Sequence, residues 1–559
     1  MNQSEYDKQV LQVQVLVNEL ALVKVKEVEP PPPSELRVDI AGPSEAVVGE
    51  SNLYTISATG GTQPYAYFWN NGNGALSSIF KWDLMGEKQV SCLVRDSGGQ
   101  ESTASMIVNI KGMAPPLGQI INVGPGAEKA ELHDLPLNNL QQGTLINLLW
   151  RATPYATKPV LQKGNGLRIL GVSVNGSPKP ILSAENAREN SDWATDWTSA
   201  LVGKGLITIV KKASGDEVGG GLTIENLTLR AARAGVPYIH KSGAQMSYGV
   251  MAAGIYMTTC RGVKVVGCTI TDNDNGILGI SNSGWSGPNT TRDLLVAWNA
   301  FSGNGVPGSY SQHSTYVEGV DTIYEFNSYS ANKVGSPGTL LKDRGAGTKI
   351  RYSIFDGPST LPIDLVEPEA GAPVIMVHPT WGNDYIYGCI LRNNQDCSNI
   401  HYGFDGVPAN KRRELHFYHN TLRNRGDFWK FNWFRVHGSP TKVRLYNSIF
   451  WDDSADQPRM YAQFDGTGTY FSIGGSWMSE DTLKAVNEQG VPINVDFDGW
   501  NWTSKGVNPG VEENMTLLPN SVCKFIAQGL PVGLPPVQFG WDGTTWVRRN
   551  TWTSAGASE

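Results

Sequence analysis

The sequence predicts an all-β protein whose largest part is a parallel β-helix, a solenoid built from stacked turns of short strands. Glycine is frequent, with 63 of 559 residues, and charged residues are scarce, at 17% against about 25% in an average chain. The middle of the chain repeats one pattern, apolar-x-apolar-x-(Asn, Gly or Ser)-x-apolar. The repeats centre on Asn299, Asn327, Ser353, Gly388, Asn420 and Asn447. Repeats that recur every ~20–50 residues are typical of solenoids.

The polar residue of each repeat predicts a sharp corner between two strands. Asparagine and glycine tolerate the left-handed backbone that such a corner needs, and stacked asparagine amides form hydrogen-bonded ladders. The strands between the corners are short and no helical period separates them, so the crossover helices of an α/β fold are excluded. Earlier copies of the pattern occur at residues 221–229 and 263–270. The unequal spacing predicts loops of different length on a regular stack.

Residues 1–33 are predicted to form an attachment stem. Their apolar side chains fit a helical seam through Val13, Leu16 and Leu20, and equally the strand-like alternation of Val13, Val15 and Val17. Period alone does not choose between helix and strand. A terminal segment this apolar needs a partner surface, which predicts oligomerisation or attachment to a larger assembly. A run of four prolines then forms a stiff spacer.

Three domains are predicted after the stem. Residues 34–112 have short apolar runs between glycine-rich turns, the pattern of a small β module. Residues 113–455 carry the repeats, and residues 456–559 are predicted to form a C-terminal β-rich cap. In that cap, Ser479 and Gly490 fit the start and the end of a helix, and Asp542-Gly543 predicts the tight turn of a hairpin.

Composition and motifs exclude several classes of partner. A net charge of −7 provides no basic patch for nucleic acid, and no apolar run reaches the ~18 residues that span a bilayer. The first residues lack the basic and apolar regions of a signal peptide. The six cysteines have no C-x-x-C spacing, so they are expected to be buried small apolar side chains. No motif predicts a cofactor. A calcium loop that begins at Asp272 would need glycine at its sixth position and a carboxylate at its twelfth, where this chain has Ile277 and Ser283.

The densest polar cluster falls on three consecutive repeats. In a solenoid, residues one repeat apart lie above one another on the same face, so we expect these side chains to line a single groove. The candidate catalytic residues are His313, Tyr316, Glu318, Lys342, Asp343, Arg344, Asp364 and Glu367.

Three motifs in this region carry a family resemblance. They are Gln312-His313-Ser314-Thr315-Tyr316-Val317, Gly338-Thr339-Leu340-Leu341-Lys342-Asp343-Arg344 and Ile363-Asp364-Leu365. The set resembles a pattern in bacterial and phage parallel β-helix proteins that degrade polysaccharides, in which an Ile-Asp-Leu step precedes a glycine-rich turn. The resemblance implies a right-handed, pectate-lyase-like β-helix, with His313, Tyr316, Lys342, Arg344 and Asp364 in its polar groove. This chain departs from the pattern after Leu365, where Val366-Glu367-Pro368-Glu369-Ala370-Gly371 replaces the glycine-rich turn.

The domain layout also resembles that of bacteriophage tailspikes. The segments TGGTQPYAYFW and GEKQVSCLVRDSGGQES are similar to Ig-like or PKD-like modules, which implies a β-sandwich with Trp69 in its core. The tailspike resemblance implies a homotrimeric depolymerase of capsule or O-antigen, held in the virion tail by its stem on a tail or baseplate protein and acting at the host cell surface. Two other functions fit the sequence, a glycan-binding adhesin without catalysis and a bacterial pectate-lyase-like enzyme.

Two reactions fit the candidate residues. In an elimination, Arg344 or Lys342 neutralises a substrate carboxylate while Tyr316 or His313 transfers the proton. In a hydrolysis, two carboxylates flank the glycosidic bond. The candidates for that pair are Glu318, Asp343, Asp364 and Glu367.

Aromatic side chains near the predicted groove are candidates for stacking on sugar rings. The candidates are Tyr310, Trp285, Trp381, Trp429 and Trp433. The aromatic run at residues 428–435 fits a trimer contact equally well.

Overall fold

The structure is a computed structural model that describes most of the chain after residue 34. The described residues are 35–47, 52–82, 86–111, 118–173, 176–195, 199–211, 218, 220–281, 290–359, 361–369, 371–393, 398–403, 414–424, 432–437, 442–452, 461–465, 470–479, 484–487, 504–506, 508–524, 527, 530, 534–548 and 554–558. The predicted stem, Trp285 and Trp429 lie outside these residues. The chain divides into two compact units, Met1–Ala114 and Pro115–Glu559.

The first unit contains two small sheets around one core. One sheet is antiparallel and has the strands Arg37–Ala41, Asn52–Thr59 and Ser77–Phe80. The other has the strands Glu45–Val47, Ala66–Trp69, Gly86–Arg95 and Glu101–Lys111. Alternate residues point inward, and Tyr54, Trp69 and Phe80 meet edge to face in the core. Trp69 is therefore a core residue, as expected.

Three long sheets, in which every strand pairs in parallel, form the second unit. Sheet A has 12 strands, Ile120–Val123, Leu145–Leu149, Arg168–Val172, Thr223–Glu225, Lys264–Val266, Leu295–Ala297, Ile323–Glu325, Lys349–Arg351, Asn383–Tyr387, Glu414–Tyr418, Lys442–Tyr446 and Tyr470–Gly474. Sheet B has 11 strands, Ile181–Ser183, Thr228–Arg230, Thr269–Thr271, Ala300–Ser302, Ser328–Ser330, Ile354–Asp356, Ile390–Asn393, Thr421–Asn424, Ile449–Asp452, Trp477–Ser479 and Ser504–Gly506. Sheet C has 11 strands, Val160–Leu161, Gly205–Val210, Ala253–Thr258, Asn275–Ile280, Thr315–Val317, Leu341–Asp343, Ile363–Leu365, Ser398–Tyr402, Asn432–His437, Tyr461–Asp465 and Lys484–Asn487.

The remaining elements of this unit are small. Two-residue to three-residue strands form minor ladders at Thr157–Lys158, Ala187–Glu189, Pro237–Ile239, Gln245–Ser247, Thr291–Arg292, Gly319–Val320, Phe539–Trp541 and Trp546–Arg548. The helices among its described residues are a 3₁₀ turn at Leu132–Asp134 and two α-helical turns at Ser199–Val202 and Ala372–Ile375. In the described part of the chain, no helix is long and apolar enough to cross a membrane.

The chain visits sheets A, B and C in turn, and each strand pairs with its equivalent one turn later. One continuous apolar core lies between the three sheets and includes Ile224, Val265, Val296 and Ile350 from sheet A. The architecture is all-β and consistent with a parallel β-helix. The five described cysteines, Cys92, Cys260, Cys268, Cys389 and Cys523, are buried free thiols, as predicted.

The corner between sheets A and B explains the repeated asparagine. Asn299 and Asn327 form a ladder, in which the Asn299 amide nitrogen Nδ2 donates to Oδ1 of Asn327 at 3.1 Å. At Gly388 and Asn447 the left-handed backbone lies on the residue that the pattern predicts, with φ of 64° and 47°. At Trp298, Phe326 and Tyr352, with φ of 59°, 54° and 49°, it lies one residue earlier. Stacking of these rings, with centroids 4.2 Å apart for Trp298 and Phe326, accompanies the left-handed conformation.

The C-terminal part of the chain differs from the prediction. The parallel ladders continue past residue 455 and end at Ser504–Gly506, so the boundary at 455 does not mark the end of the sheets. The predicted helix from Ser479 to Gly490 is wrong, because Lys484–Asn487 pairs as a strand with Tyr461–Asp465 and tertiary pairing overrides local propensity. The predicted hairpin is present, with Phe539–Trp541 antiparallel to Trp546–Arg548.

Candidate functional site

Four polar side chains line up on the outer face of sheet C. Tyr316 pairs in register with Lys342, Lys342 with Asp364, and Asp364 with His401. In each strand the neighbours of these residues point into the core, as Val317, Leu341 and Ile363 do, so the four face outward. We call Tyr316, Lys342, Asp364 and His401 the site column.

Asp364 lies at the centre of a charged network in the site column. Its Oδ2 is 3.0 Å from Nζ of Lys342, and its Oδ1 is 2.7 Å from Nδ1 of His401. Burial on its own would raise the pKa of Asp364, but the hydrogen bond and charge of His401 and the charge of Lys342 outweigh it and lower the pKa. Asp364 is therefore an ionised carboxylate at neutral pH.

Tyr316 lies between His313 and two cations. The His313 ring meets the Tyr316 ring edge to face, with centroids 5.2 Å apart. The Nζ of Lys342 and the Cζ of Arg344 lie 6.0 Å and 5.8 Å from the Tyr316 ring centroid. Burial raises the pKa of Tyr316, and the opposing effect of Arg344 is smaller. Tyr316 therefore keeps its phenol proton at neutral pH.

The imidazole of His313 is fixed by the next turn of the chain. The backbone N–H of Thr339 donates to Nδ1 of His313 at 3.0 Å, and the Thr339 hydroxyl lies 2.8 Å from the same nitrogen. An N–H donor requires an acceptor, so Nδ1 carries no proton and the ring proton lies on Nε2. His313 is thus held as the tautomer that donates from Nε2.

Arg344 is buried beneath a loop formed by residues 366–369 and Gly371, which we call the Glu369 loop. Its Nη1 donates to the carbonyl oxygen of Glu367 at 2.5 Å. Its Nη2 lies 2.7 Å from Oε1 of Glu369, and the two side chains are 3% and 57% exposed. A buried guanidinium thus pairs with a carboxylate that is largely in solvent.

Glu318 holds the Glu369 loop in place. Its Oε1 accepts hydrogen bonds from the backbone N–H of Glu369 at 2.9 Å and of Gly371 at 2.5 Å. Burial raises the pKa of Glu318 to about 7, against the lowering effect of these backbone donors and of Arg344. Gly371 has no room for a side chain, because a Cβ there would lie 2.9 Å from Oε1 of Glu318. Glu318 therefore anchors the loop that covers Arg344.

The side chain of Asp343, a predicted catalytic residue, points away from the site column. It alternates with Lys342 along the strand and points into the interior, where it is fully buried. Its carboxylate accepts hydrogen bonds from the Tyr324 hydroxyl at 2.8 Å and the Thr348 hydroxyl at 2.6 Å. This places Asp343 in the core. Glu367 is also buried, at 1% exposed, and it contacts Arg344 through its backbone carbonyl oxygen.

The three aromatic candidates that the structure describes are not gathered at the site column. Trp433 is fully buried in the core against Phe450, so its predicted sugar-stacking role does not fit its position. Trp381 is buried in a small apolar cluster with Ile375. Tyr310 is 72% exposed and is the described candidate with an open ring face.

Two residues of the site were not predicted from the sequence. His401 completes the site column, and Glu369 is the partner of Arg344. The pattern Asn399-Ile400-His401-Tyr402 carries a signal for His401, because a polar residue between two apolar ones on a strand faces outward. Glu369 lies in a loop, where no periodicity predicts orientation.

The arrangement can bind an anion, donate a proton from Tyr316 and hold a carboxylate at Asp364. Among the described residues, no group of three His, Cys, Asp or Glu side chains is placed to hold a metal ion. No family model matches this chain, and no curated protein is significantly similar to it in sequence.

Proposed function

We propose that this protein is a phage tailspike-type receptor-binding protein that binds a bacterial surface polysaccharide, capsule or O-antigen, and cleaves its glycosidic bonds. The observation that supports the proposal is the site column, with charged and proton-donating side chains on consecutive turns of sheet C. Polar side chains stacked at one position over four turns form a linear site, which suits a linear polymer. The right-handed coil, the Ig-like character of the first unit and a homotrimer attached to the phage tail by its stem belong to the same proposal.

Tyr316 is the proposed catalytic residue. Cleavage of a glycosidic bond leaves an oxygen that needs a proton in either mechanism, and Tyr316 retains its proton at neutral pH. Lys342 and Arg344, both on the next turn, lie 6.0 Å and 5.8 Å from its ring centroid and stabilise negative charge that develops there. His401 lies three strands away from Tyr316, and neighbouring strands are ~4.8 Å apart. His401 is therefore too far from Tyr316 to act on the same bond, and it contacts a different part of the polymer.

Elimination is the better supported of the two reactions. A hydrolase needs two carboxylates around one bond, but Asp343 points into the core and Glu318 is bound to the backbone of the Glu369 loop. An elimination needs a cation for the substrate carboxylate, a base that takes the C5 proton and an acid that protonates the leaving oxygen. Lys342 and Arg344 supply the cation and Tyr316 the acid, and the ionised Asp364 is the proposed base.

The test is incubation of the purified protein with a panel of capsular and O-antigen polysaccharides. Chain length, reducing ends and the ultraviolet absorbance of unsaturated uronate are followed together. Shortening with new absorbance supports elimination, and shortening without it supports hydrolysis. The variant Tyr316→Phe should lose turnover by about 100-fold, whereas Tyr67→Phe, on the strand Ala66–Trp69 of the first unit, serves as its control.

A non-catalytic glycan-binding adhesin is the competing function. It predicts that a polysaccharide binds but is not shortened, with Tyr316→Phe and the wild type alike in every product assay.

The proposed homotrimer is tested by equilibrium sedimentation. A mass close to that of a monomer would remove the trimer from the proposal.

A further inference from the structure

The pairing of Arg344 with Glu369 combines a fixed cation with a movable anion. Arg344 is 3% exposed, and its Nη1 is bound to a backbone carbonyl, so the guanidinium has one position. A carboxylate that approaches Arg344 therefore meets a guanidinium that is already in place.

Glu369 is the carboxylate near Arg344 that is free to leave. Glu318 and Glu367 are 2% and 1% exposed, and the carboxylate of Glu318 holds two backbone N–H groups. The Glu369 side chain is 57% exposed, while its own backbone N–H stays anchored to Glu318. Its side chain can therefore turn into water without unfolding the loop.

We propose that Glu369 occupies the place of a substrate carboxylate on Arg344 and gives way when an acidic sugar binds. The inference rests on the proposed function, since it names the class of sugar that the same site recognises. A uronate or another carboxylate-bearing sugar restores the charge-assisted hydrogen bond that Glu369 gives up. A neutral sugar brings no anion and leaves Arg344 with Glu369.

The position of the pair places this carboxylate beside the proposed catalytic group. Arg344 lies 5.8 Å from the ring centroid of Tyr316, and Lys342, on the same turn as Arg344, lies 6.0 Å from it. The exchange of Glu369 for a substrate carboxylate therefore orients the acidic sugar with its ring next to Tyr316.

The test uses small sugars, so that binding is measured apart from depolymerisation. Glucuronate, galacturonate and N-acetylneuraminate are titrated against the full-length protein and followed by saturation-transfer NMR, with glucose, glucose 6-sulfate and glucose 6-phosphate alongside. Glu369→Gln keeps the backbone anchor of the loop and removes the competing charge. We expect it to bind the carboxylate sugars at least about twofold more tightly than the wild type does, because the sugar no longer displaces a charged partner from Arg344.

Glu513→Gln is the matched control. It removes the exposed carboxylate from another buried arginine, Arg423, at 3.0 Å, where the side chains are 7% and 76% exposed. This variant should bind each sugar as the wild type does. Arg344→Lys keeps the charge but loses the two-pronged donor, and it should weaken carboxylate binding by about tenfold or more.

The outcomes separate the inference from the proposed function. Unchanged or weaker binding by Glu369→Gln, or an equal gain for sulfate and phosphate sugars, overturns the carboxylate exchange. Shortening of a neutral polysaccharide, unaffected by Glu369→Gln, leaves the depolymerase standing and overturns the inference. The expected gain for carboxylates without shortening of any polymer supports the inference and removes the depolymerase.

Discussion

Asp364 and His401 face each other on consecutive turns of sheet C, with Oδ1 of the carboxylate 2.7 Å from Nδ1 of the imidazole. Lys342 approaches the other carboxylate oxygen from the preceding turn. One carboxylate therefore joins three turns of the sheet. Its charge matters to the fold as well as to the proposed site.

We predict that Asp364→Asn destabilises the protein by about 3 kcal/mol at pH 7, because it removes the buried carboxylate that pairs with both Lys342 and His401. The pKa of Asp364 is lowered on folding, so its contribution is present above its unfolded pKa of about 4 and is lost as the pH falls below that. The cost of Asp364→Asn should therefore shrink at pH 3. Urea unfolding at both pH values measures it.

The control for this substitution is Asp293→Asn, in the exposed pair with Arg261. It should change the free energy of unfolding by less than about 1 kcal/mol. An equal cost of Asp364→Asn at pH 7 and pH 3 would show that its charge does not stabilise the fold.

Glu318 should show the opposite pH dependence. Burial raises its pKa to about 7, so its stabilising contribution is present below its unfolded pKa of about 4.3 and is lost as the pH rises through about 7. Glu318→Gln cannot ionise. We expect the stability of this variant relative to the wild type to improve by about 2 kcal/mol between pH 5 and pH 8, measured by urea unfolding. A constant difference across that range contradicts the prediction.

An asparagine pair should contribute more to the free energy of unfolding at the buried corner between sheets A and B than at the surface. Asn327 accepts from the buried backbone N–H and side-chain amide of Asn299 at 3.0 Å and 3.1 Å. Asn327→Ala removes the acceptor of both donors, leaving the Asn299 side-chain amide with the carbonyl of Val265, and should cost about 1–3 kcal/mol. Asn147→Ala, which breaks an exposed asparagine pair with Asn122, should cost less than about 0.5 kcal/mol. Thermal denaturation compares the two, and similar costs would disprove the assignment.

Gly371 should be intolerant of a side chain. A Cβ at this position would lie 2.6 Å from Cβ of Ser281 and 2.9 Å from Oε1 of Glu318, so the Glu369 loop must move away. We expect Gly371→Ala to cost about 1–3 kcal/mol and to speed proteolytic cleavage at the loop. Gly249→Ala meets open space and is the control, and an unchanged cleavage rate for Gly371→Ala would contradict the anchoring role of Glu318.

The repeats made the stacked strands predictable, because every turn places the same residue types at the same corner. The spacing also indicated that Lys342 and Asp364 lie on neighbouring turns, which the register confirms. Strand alternation would have separated Asp343 from Lys342, since adjacent residues of a strand face opposite sides. The orientation of Glu369 depends on the hydrogen bonds of a loop to Glu318, and no local pattern encodes such a contact.

The helix expected between Ser479 and Gly490 shows the limit of local propensity. Ser479 and Gly490 are residue types that favour the ends of a helix. However, Lys484–Asn487 lies beside Tyr461–Asp465, and the backbone of that strand provides hydrogen-bonding partners for the next strand of the sheet. A strand at the end of a long ladder is selected by its neighbour.

The corner between sheets A and B keeps one length along most of the stack. From Thr223–Glu225 onward two residues connect the strands, as at Trp298-Asn299, Phe326-Asn327 and Tyr352-Ser353, whereas eight residues separate Arg168–Val172 from Ile181–Ser183. Beyond that first turn, differences in turn length therefore fall in the other two connections. Segments such as the Glu369 loop can change in length and sequence while the three sheets keep their register.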